Sequence, residues 1–215
     1  MKQTHALPEP DESMSRLRIF LSLITPFKPG KMLDLGAGPG TFSLAATRLG
    51  WEVTAVDART MRTPNPENDP KRAGLIRSVR WVEADVRDFP IREGEYDLIC
   101  IFGLMHHLEL GDQIKLLRRC SSTHTLLTVR VAPEIIDREG SYEGMYRRER
   151  GKTREERDQI PQASWGNEVN FWHTEDSLLR MMRDCGYSKV MAMRPPHRPN
   201  YTFYFCLPYP EPQTL

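Results

Sequence analysis

The sequence predicts an α/β fold, an open and mostly parallel sheet with helices on both faces. Three observations lead there. The short apolar run Met32-Leu33-Asp34-Leu35 ends in Gly36-Ala37-Gly38-Pro39-Gly40, and a helical pattern follows at once. Two further apolar runs end in carboxylates, Asp57 and Asp85. The stretch from Tyr96 to Phe102 is almost continuously apolar, as a central strand buried on both faces requires.

With 215 residues the chain is long enough to bury a full core. An apolar share of 39% and a charged share of 27% describe a rather polar globular protein. A formal net charge of +1 provides no global field toward nucleic acid or a membrane, and so argues against both as partners. Cys100, Cys120, Cys185 and Cys206 are scattered and form no C-x-x-C pair, so neither a zinc site nor a disulfide framework is expected. No run has the length of a membrane span and the first fifteen residues lack a signal-like apolar core, which leads us to expect a cytoplasmic protein. Residues 1–10 read as a flexible arm and the proline-rich 208–215 as a flexible tail, with one domain at 11–207 between them.

Taken in order, a helix starting near Asp11 or Ser13 carries Leu17, Phe20, Leu21 and Ile24 on one face, and Pro26 and Pro29-Gly30 stop it. The first strand, the glycine turn and a helix with Phe42, Ala45, Ala46 and Leu49 on one face come next. Glycines let the turn take positive φ and let a ligand approach the main chain, while the helix N-terminus offers unpaired N–H groups. A dinucleotide fingerprint would need glycine at 41, where this chain has Thr41; the glycines form G-x-G-x-G instead. Residues 51–57 read as a second strand, and Asp57 lies 21 positions after Gly36, close to the ~20 expected of a ribose-binding carboxylate. Residues 62–72 read as a loop and 78–84 as a third strand. The fourth strand, 96–102, leads to Gly103-Leu104-Met105-His106-His107-Leu108 and a helix through Ile114, Leu116 and Leu117 to about Arg119. Residues 123–132 form the expected fifth strand. Residues 133–173 are too long for a simple crossover and too polar for a core element, so they read as an insertion. A helix capped by Thr174 and ended by Gly186 precedes two last strands, 187–193 and 201–207, joined through 195–200.

The acidic residue followed by x-G-x-G-x-G from Asp34 to Gly40 resembles motif I of the class I S-adenosylmethionine-dependent methyltransferases. The segment His106-His107-Leu108 after the fourth strand is similar to one found in many small-molecule members. The resemblance implies a Rossmann-like seven-stranded sheet of order 3-2-1-4-5-7-6 with the last strand antiparallel. It implies S-adenosyl-L-methionine as cofactor, S-adenosyl-L-homocysteine as product, and no metal. Cofactor contacts carried over by position are Asp34, Gly36, Ala37, Gly38, Gly40, Asp57, Ala58, Asp85, Val86 and Phe102. Of these Asp57 would take the ribose, Asp85 the adenine amino group, and Val86 an adjoining wall, with Ala58 leaving room beside the adenine.

Phe102-Gly103-Leu104-Met105 stands where base-amine methyltransferases carry Asn/Asp-Pro-Pro-Tyr/Phe, and Arg130-Val131-Ala132-Pro133 shows no metal-holding Asp-Asn pair. Metal-independent transfer to a hydroxyl, amine or carbon of a small-molecule or glycan acceptor is what this leaves. His106 and His107 are the candidate general bases, since imidazole exchanges protons near neutral pH; Glu143, Tyr142 and His173 are secondary candidates. Tyr142, Tyr146, Trp165 and Trp172, with the amides Asn167 and Asn170 nearby, are candidate acceptor contacts, or else pins that fasten the insertion. The run from Tyr146 to Arg157 mixes both signs and reads either as a solvated surface or as a basic flap over an anionic acceptor. Methylation of RNA or protein, or a silent cofactor-binding module, are the alternative readings. Monomer and homodimer are both compatible with the sequence.

Overall fold

The computed structural model describes residues 12–59, 62–160, 163–194 and 202–209. The expected arm at 1–10, the 195–200 connection and 210–215 of the expected tail therefore lie outside the described residues. Helix α1 (Glu12–Ile24) precedes strand β1 (Lys31–Leu35), helix α2 (Thr41–Arg48) and strand β2 (Glu52–Asp57). Helix α3 (Ala73–Ser78), strand β3 (Arg80–Glu83) and strand β4 (Leu98–Phe102) follow, then a single 3-10 turn at Met105–His107. Helix α4 (Leu110–Cys120) and strand β5 (His124–Val129) complete the first half.

Beyond it come strands β6 (Asp137–Glu139) and β7 (Tyr142–Arg148), helix α5 (Arg154–Asp158) and strand β8 (Val169–His173). Helix α6 (Glu175–Asp184), strand β9 (Tyr187–Met193) and strand β10 (Thr202–Pro208) end the described chain. Strand β10 runs through Pro208, so the expected tail starts later than residue 208.

The main sheet has the order β3-β2-β1-β4-β5-β10-β9. Pairings among β1 to β5 are parallel, and β10 runs antiparallel to both β5 and β9. This is the Rossmann-like seven-stranded arrangement that the sequence led us to expect. Alternation along the strands divides the core between the two faces. Leu98, Cys100 and Phe102 pack with Phe20, Leu44 and Ile76 of α1 to α3, while Ile99 and Ile101 pack with Leu116, Leu117, Leu178 and Met181 of α4 and α6. All five β4 residues are buried, which is why that strand reads as an unbroken apolar run. Burial also explains the four cysteines, all free and all inside.

Two stretches differ from expectation. Residues 73–78 form α3, filling the unassigned gap between the expected loop and third strand and taking Ser78 from that strand; Ile76 buries itself against the α1–α2 face, and only four residues are left to β3. The polar insertion is ordered into a second sheet, β6-β7-β8, and short α5. Gly144 permits the β7–β8 pairing, since a Cβ there would stand 2.0 Å from the Trp172 carbonyl oxygen. Backbone bonds tie the small sheet to the rest: Phe171 N–H donates to the Leu108 carbonyl at 3.2 Å and Ala132 N–H to the His173 carbonyl at 2.6 Å. No helix among the described residues is long and apolar enough to cross a membrane.

Candidate functional site

A cavity of about 650 Å³ opens at the C-terminal ends of β1 to β4, and the insertion lines its other side. That volume suits a cofactor-sized ligand, and the location is where open α/β sheets bind ligands.

The β1–α2 turn is held from below. Gly36 and Ala37 N–H both donate to the Val56 carbonyl, at 2.8 and 3.1 Å, locking the turn against β2. Gly36, Gly38 and Gly40 take φ of 74°, 52° and 69°, the left-handed region that only glycine enters cheaply. Their environments differ. A Cβ on Gly38 would meet no atom within 4 Å and would project into open space, whereas one on Gly40 would stand 2.2 Å from the Trp81 ring. Gly38 thus leaves room for a ligand, and Gly40 lets the turn pack on β3 without itself lining the cavity.

Three carboxylates stand around this turn. Asp57 accepts from Gly38 N–H at 2.8 Å and from Arg59 N–H at 2.9 Å, one bond on each oxygen, so both oxygens keep a lone pair for a ligand. Asp34 is fully buried and accepts from Ser43 Oγ at 2.6 Å. Burial, with the Asp57 charge adding to it, pushes its carboxyl up to about 6 despite the Ser43 bond. Asp85 receives the Arg87 backbone N–H at 2.9 Å and the Arg87 guanidinium on both oxygens. Burial opposes its charge, but Arg87 outweighs burial and holds the carboxyl below its ordinary range.

Opposite stand the two histidines. His107 Nδ1 lies 2.6 Å from Glu149 Oε1, and Asn170 Nδ2 donates to the same oxygen at 2.6 Å. Burial works against the Glu149 charge, yet the bond to His107 and its neighbours prevail and keep that carboxyl below its usual range. An ionised Glu149 fixes the proton of His107 on Nδ1 and leaves Nε2 as the basic nitrogen. His106 is 6% exposed, and burial first, then the charges around it, hold it well below the ordinary histidine range. Its carbonyl accepts from Trp172 Nε1 at 2.9 Å. His173 is a core residue instead, bonded to Ser177 Oγ at 2.9 Å and pushed down to about 4 by burial.

Of the residues singled out in the sequence, the cavity brings together Asp34, Gly36, Ala37, Gly38, Asp57, Ala58, Asp85, Val86, Phe102, His106, His107, Trp165 and Trp172. Tyr142 and Tyr146 are not among its lining. Alternation across the small sheet is the reason. Tyr146 pairs with Phe171 and Tyr142 packs on His173, on the face opposite to Arg147, Asn170 and Trp172. The two tryptophans each carry a guanidinium over the ring, Arg147 on Trp172 at 4.2 Å and Arg154 on Trp165 at 4.0 Å, so each already has one face covered.

Asn167 and Asn170, the amides expected beside the aromatics, line the cavity as well, while Arg59, Arg87 and Glu149 escaped the sequence reading. Arg59 donates to the Arg157, Ile160 and Ala163 carbonyls, and Arg87 donates to Asn167 Oδ1 at 2.9 Å, so both fasten the insertion. Asn167 in turn donates to the His107 carbonyl at 3.0 Å. Two signals were present. Each arginine stands two places after a strand-end aspartate, and Glu149 is a lone carboxylate inside Arg147-Arg148-Glu149-Arg150. Among the described residues no group of three or more His, Cys, Asp or Glu is placed to hold a metal.

Residues 32–124 match the family described as a methyltransferase domain. Uncharacterized proteins of Mycobacterium tuberculosis and Mycobacterium bovis are 28% identical over 158 residues, covering 72% of this chain and 52% of theirs. The chain thus spans about half the length of the curated relatives it matches. Among solved structures, the N-terminal domain of EvdMO1 with SAH bound superposes with a TM-score of 0.70 at 18% identity, covering 91% of this chain and 80% of that one. The glycopeptide N-methyltransferase MtfA, complexed with S-adenosyl-L-methionine, gives 0.62 at 17% identity over 97% and 99%. The 1,6-didemethyltoxoflavin-N1-methyltransferase of Burkholderia thailandensis gives 0.56 at 19% over 90% and 76%. At such identities the likeness is one of fold.

Proposed function

We propose that this chain is a class I S-adenosylmethionine-dependent methyltransferase that transfers a methyl group to a hydroxyl or amine of a small-molecule acceptor, a reading its domain match and fold support. The observation that carries the reading is the convergence in one cavity of the glycine turn, the free lone pairs of Asp57 and the His107–Glu149 pair. Neighbours that act on a toxoflavin precursor and on glycopeptides, as their names state, support an acceptor of modest size.

The cavity fits the cofactor on its own geometry, since Gly38 leaves space and Asp57 beside it retains acceptor capacity on both oxygens. Asp57 would hold the ribose hydroxyls, Asp85 the adenine amino group in exchange for one of its Arg87 bonds, and buried Asp34 the ammonium. S-adenosyl-L-methionine supplies an electrophilic methyl group carried on a sulfonium. What the protein adds is alignment and proton removal. His107 accepts the acceptor's proton at Nε2, and Glu149 orients the ring and stabilises the imidazolium that results. His106, buried and held neutral, packs edge-on to Trp172 and shapes the floor. In the same reading 11–207 is one domain, its 133–173 insertion carrying the acceptor side, and the protein works in the cytoplasm.

Calorimetric titration with S-adenosylhomocysteine tests the assignment. The wild type binds, and Asp57→Ala weakens binding at least tenfold, about 1.4 kcal/mol. Equal affinity in the two proteins overturns the ribose placement, and no binding to the wild type overturns the function.

A further inference from the structure

The insertion does more than roof the cavity. It contributes Arg147, Arg148 and Arg150 to the lining, and the end of β5 contributes Arg130. None of these four guanidinium groups makes an ion pair among the described residues. The cavity's carboxylates are already answered, Asp34 by Ser43, Asp57 by two backbone N–H groups, Asp85 by Arg87 and Glu149 by His107 and Asn170. On a chain with a net charge of only +1, this is a local concentration of positive charge. Its field reaches the floor, where Arg130 and Arg147 add to burial in keeping His106 neutral. Guanidinium presents a planar fork that matches carboxylate and phosphate oxygens and binds neutral groups less strongly.

A second, independent observation lies beside it. Asn170 is 3% exposed and lines the cavity; its Nδ2 is spent on Glu149, and its buried Oδ1 has no partner among the described residues. A buried amide oxygen of that kind calls for a donor.

We infer that the methyl acceptor is a small anion whose phosphate or carboxylate is held by Arg147, Arg150 and Arg130, with its nucleophilic O–H or N–H presented to Asn170 Oδ1 and His107 Nε2. The inference rests on the reading of this cavity as a methyl-transfer site and names the substrate class for it. The cofactor's own carboxylate does not account for the cluster, since one carboxylate occupies at most one or two such forks. A polymer is the less fitting partner, because the Arg and Asn groups converge on one cavity and do not form a track across the surface.

The test is a titration of S-adenosylhomocysteine-loaded protein, read by calorimetry, with phenyl phosphate, benzoate and neutral benzyl alcohol. At least one anion binds saturably and at least tenfold more tightly than benzyl alcohol, and the tighter of the two identifies the anionic group. The double variant Arg147→Gln/Arg150→Gln weakens that anion fivefold or more and leaves S-adenosylhomocysteine affinity within twofold, while the surface control Arg77→Gln changes neither. Benzyl alcohol binding as well as both anions, or unchanged anion affinity in the double variant, overturns the inference. So does a single-stranded RNA of about 20 nucleotides that displaces the anion with a steep salt dependence. Failure of S-adenosylhomocysteine to bind the wild type counts against the methyl-transfer reading alone, because the anion titration on unloaded protein still reads the arginine cluster.

Discussion

Asp34→Asn puts the electrostatics of the turn to a quantitative test. Asp34 is fully buried beneath the glycine turn and its carboxyl is pushed from 3.8 up to about 6. A carboxyl raised on folding keeps a proton that the unfolded chain has released. Its share of stability is therefore whole below pH 3.8 and is gone once the pH has risen past 6. The ionised group costs about 3 kcal/mol at pH 7.5 and about 1.5 kcal/mol at pH 5, from a shift of roughly two units at 1.36 kcal/mol each. Asparagine keeps an oxygen for the Ser43 hydroxyl and cannot ionise, and whatever its new N–H groups cost is independent of pH. Urea unfolding of the two apoproteins should show the variant gaining about 1.5 kcal/mol on the wild type between pH 5 and pH 7.5. His173, held near 4 by burial, weakens both proteins alike as the pH falls below 6.5, so it cancels from the comparison. The same variant should bind S-adenosylhomocysteine more weakly at pH 7.5, having lost the charge proposed to meet the ammonium. A stability difference that does not change with pH would refute the reasoning.

Two further outcomes follow from the geometry. Glu149→Gln preserves size and loses the charge facing His107; kcat should fall about 10- to 100-fold by analogy with other partners that orient a histidine, with S-adenosylhomocysteine affinity unchanged. Unaltered kcat would remove Glu149 from the mechanism. Gly40→Ala forces a Cβ onto the Trp81 ring at a φ of 69°, and should lower stability by about 1–3 kcal/mol or more in thermal or urea unfolding. Gly38→Ala at a similar φ meets no neighbour, so it bears only the backbone strain, and a Gly40 variant no less stable than the Gly38 variant would contradict the packing role.

The sheet was legible because its signals are local. A glycine turn between strand and helix, carboxylates at strand ends and an apolar run buried on both faces depend on neighbours within a few residues. The spacing from Gly36 to Asp57 relates two neighbouring strand ends of one sheet, and both residues line the cavity. Histidines 106 and 107 follow the fourth strand for the same reason, and they too reach it. The helix at 73–78 was missed because its burial hangs on one residue, Ile76, too little for a periodic pattern.

The sequence by itself determined the α/β class, the strand ends and the turn, since chain continuity and side-chain periodicity dictate them. Only the tertiary structure decided which residues of the insertion meet the site. Pairing of β7 with β8 sets Tyr142 and Tyr146 on one face of the small sheet and Arg147, Asn170 and Trp172 on the other, toward the cavity, and a shift of one residue in register would exchange the two faces. Likewise Glu149 lies 42 positions from His107 in the chain, and no local pattern announces a 2.6 Å contact made across two sheets. That pairing separates two histidines adjacent in sequence, leaving one buried and neutral and giving the other a carboxylate.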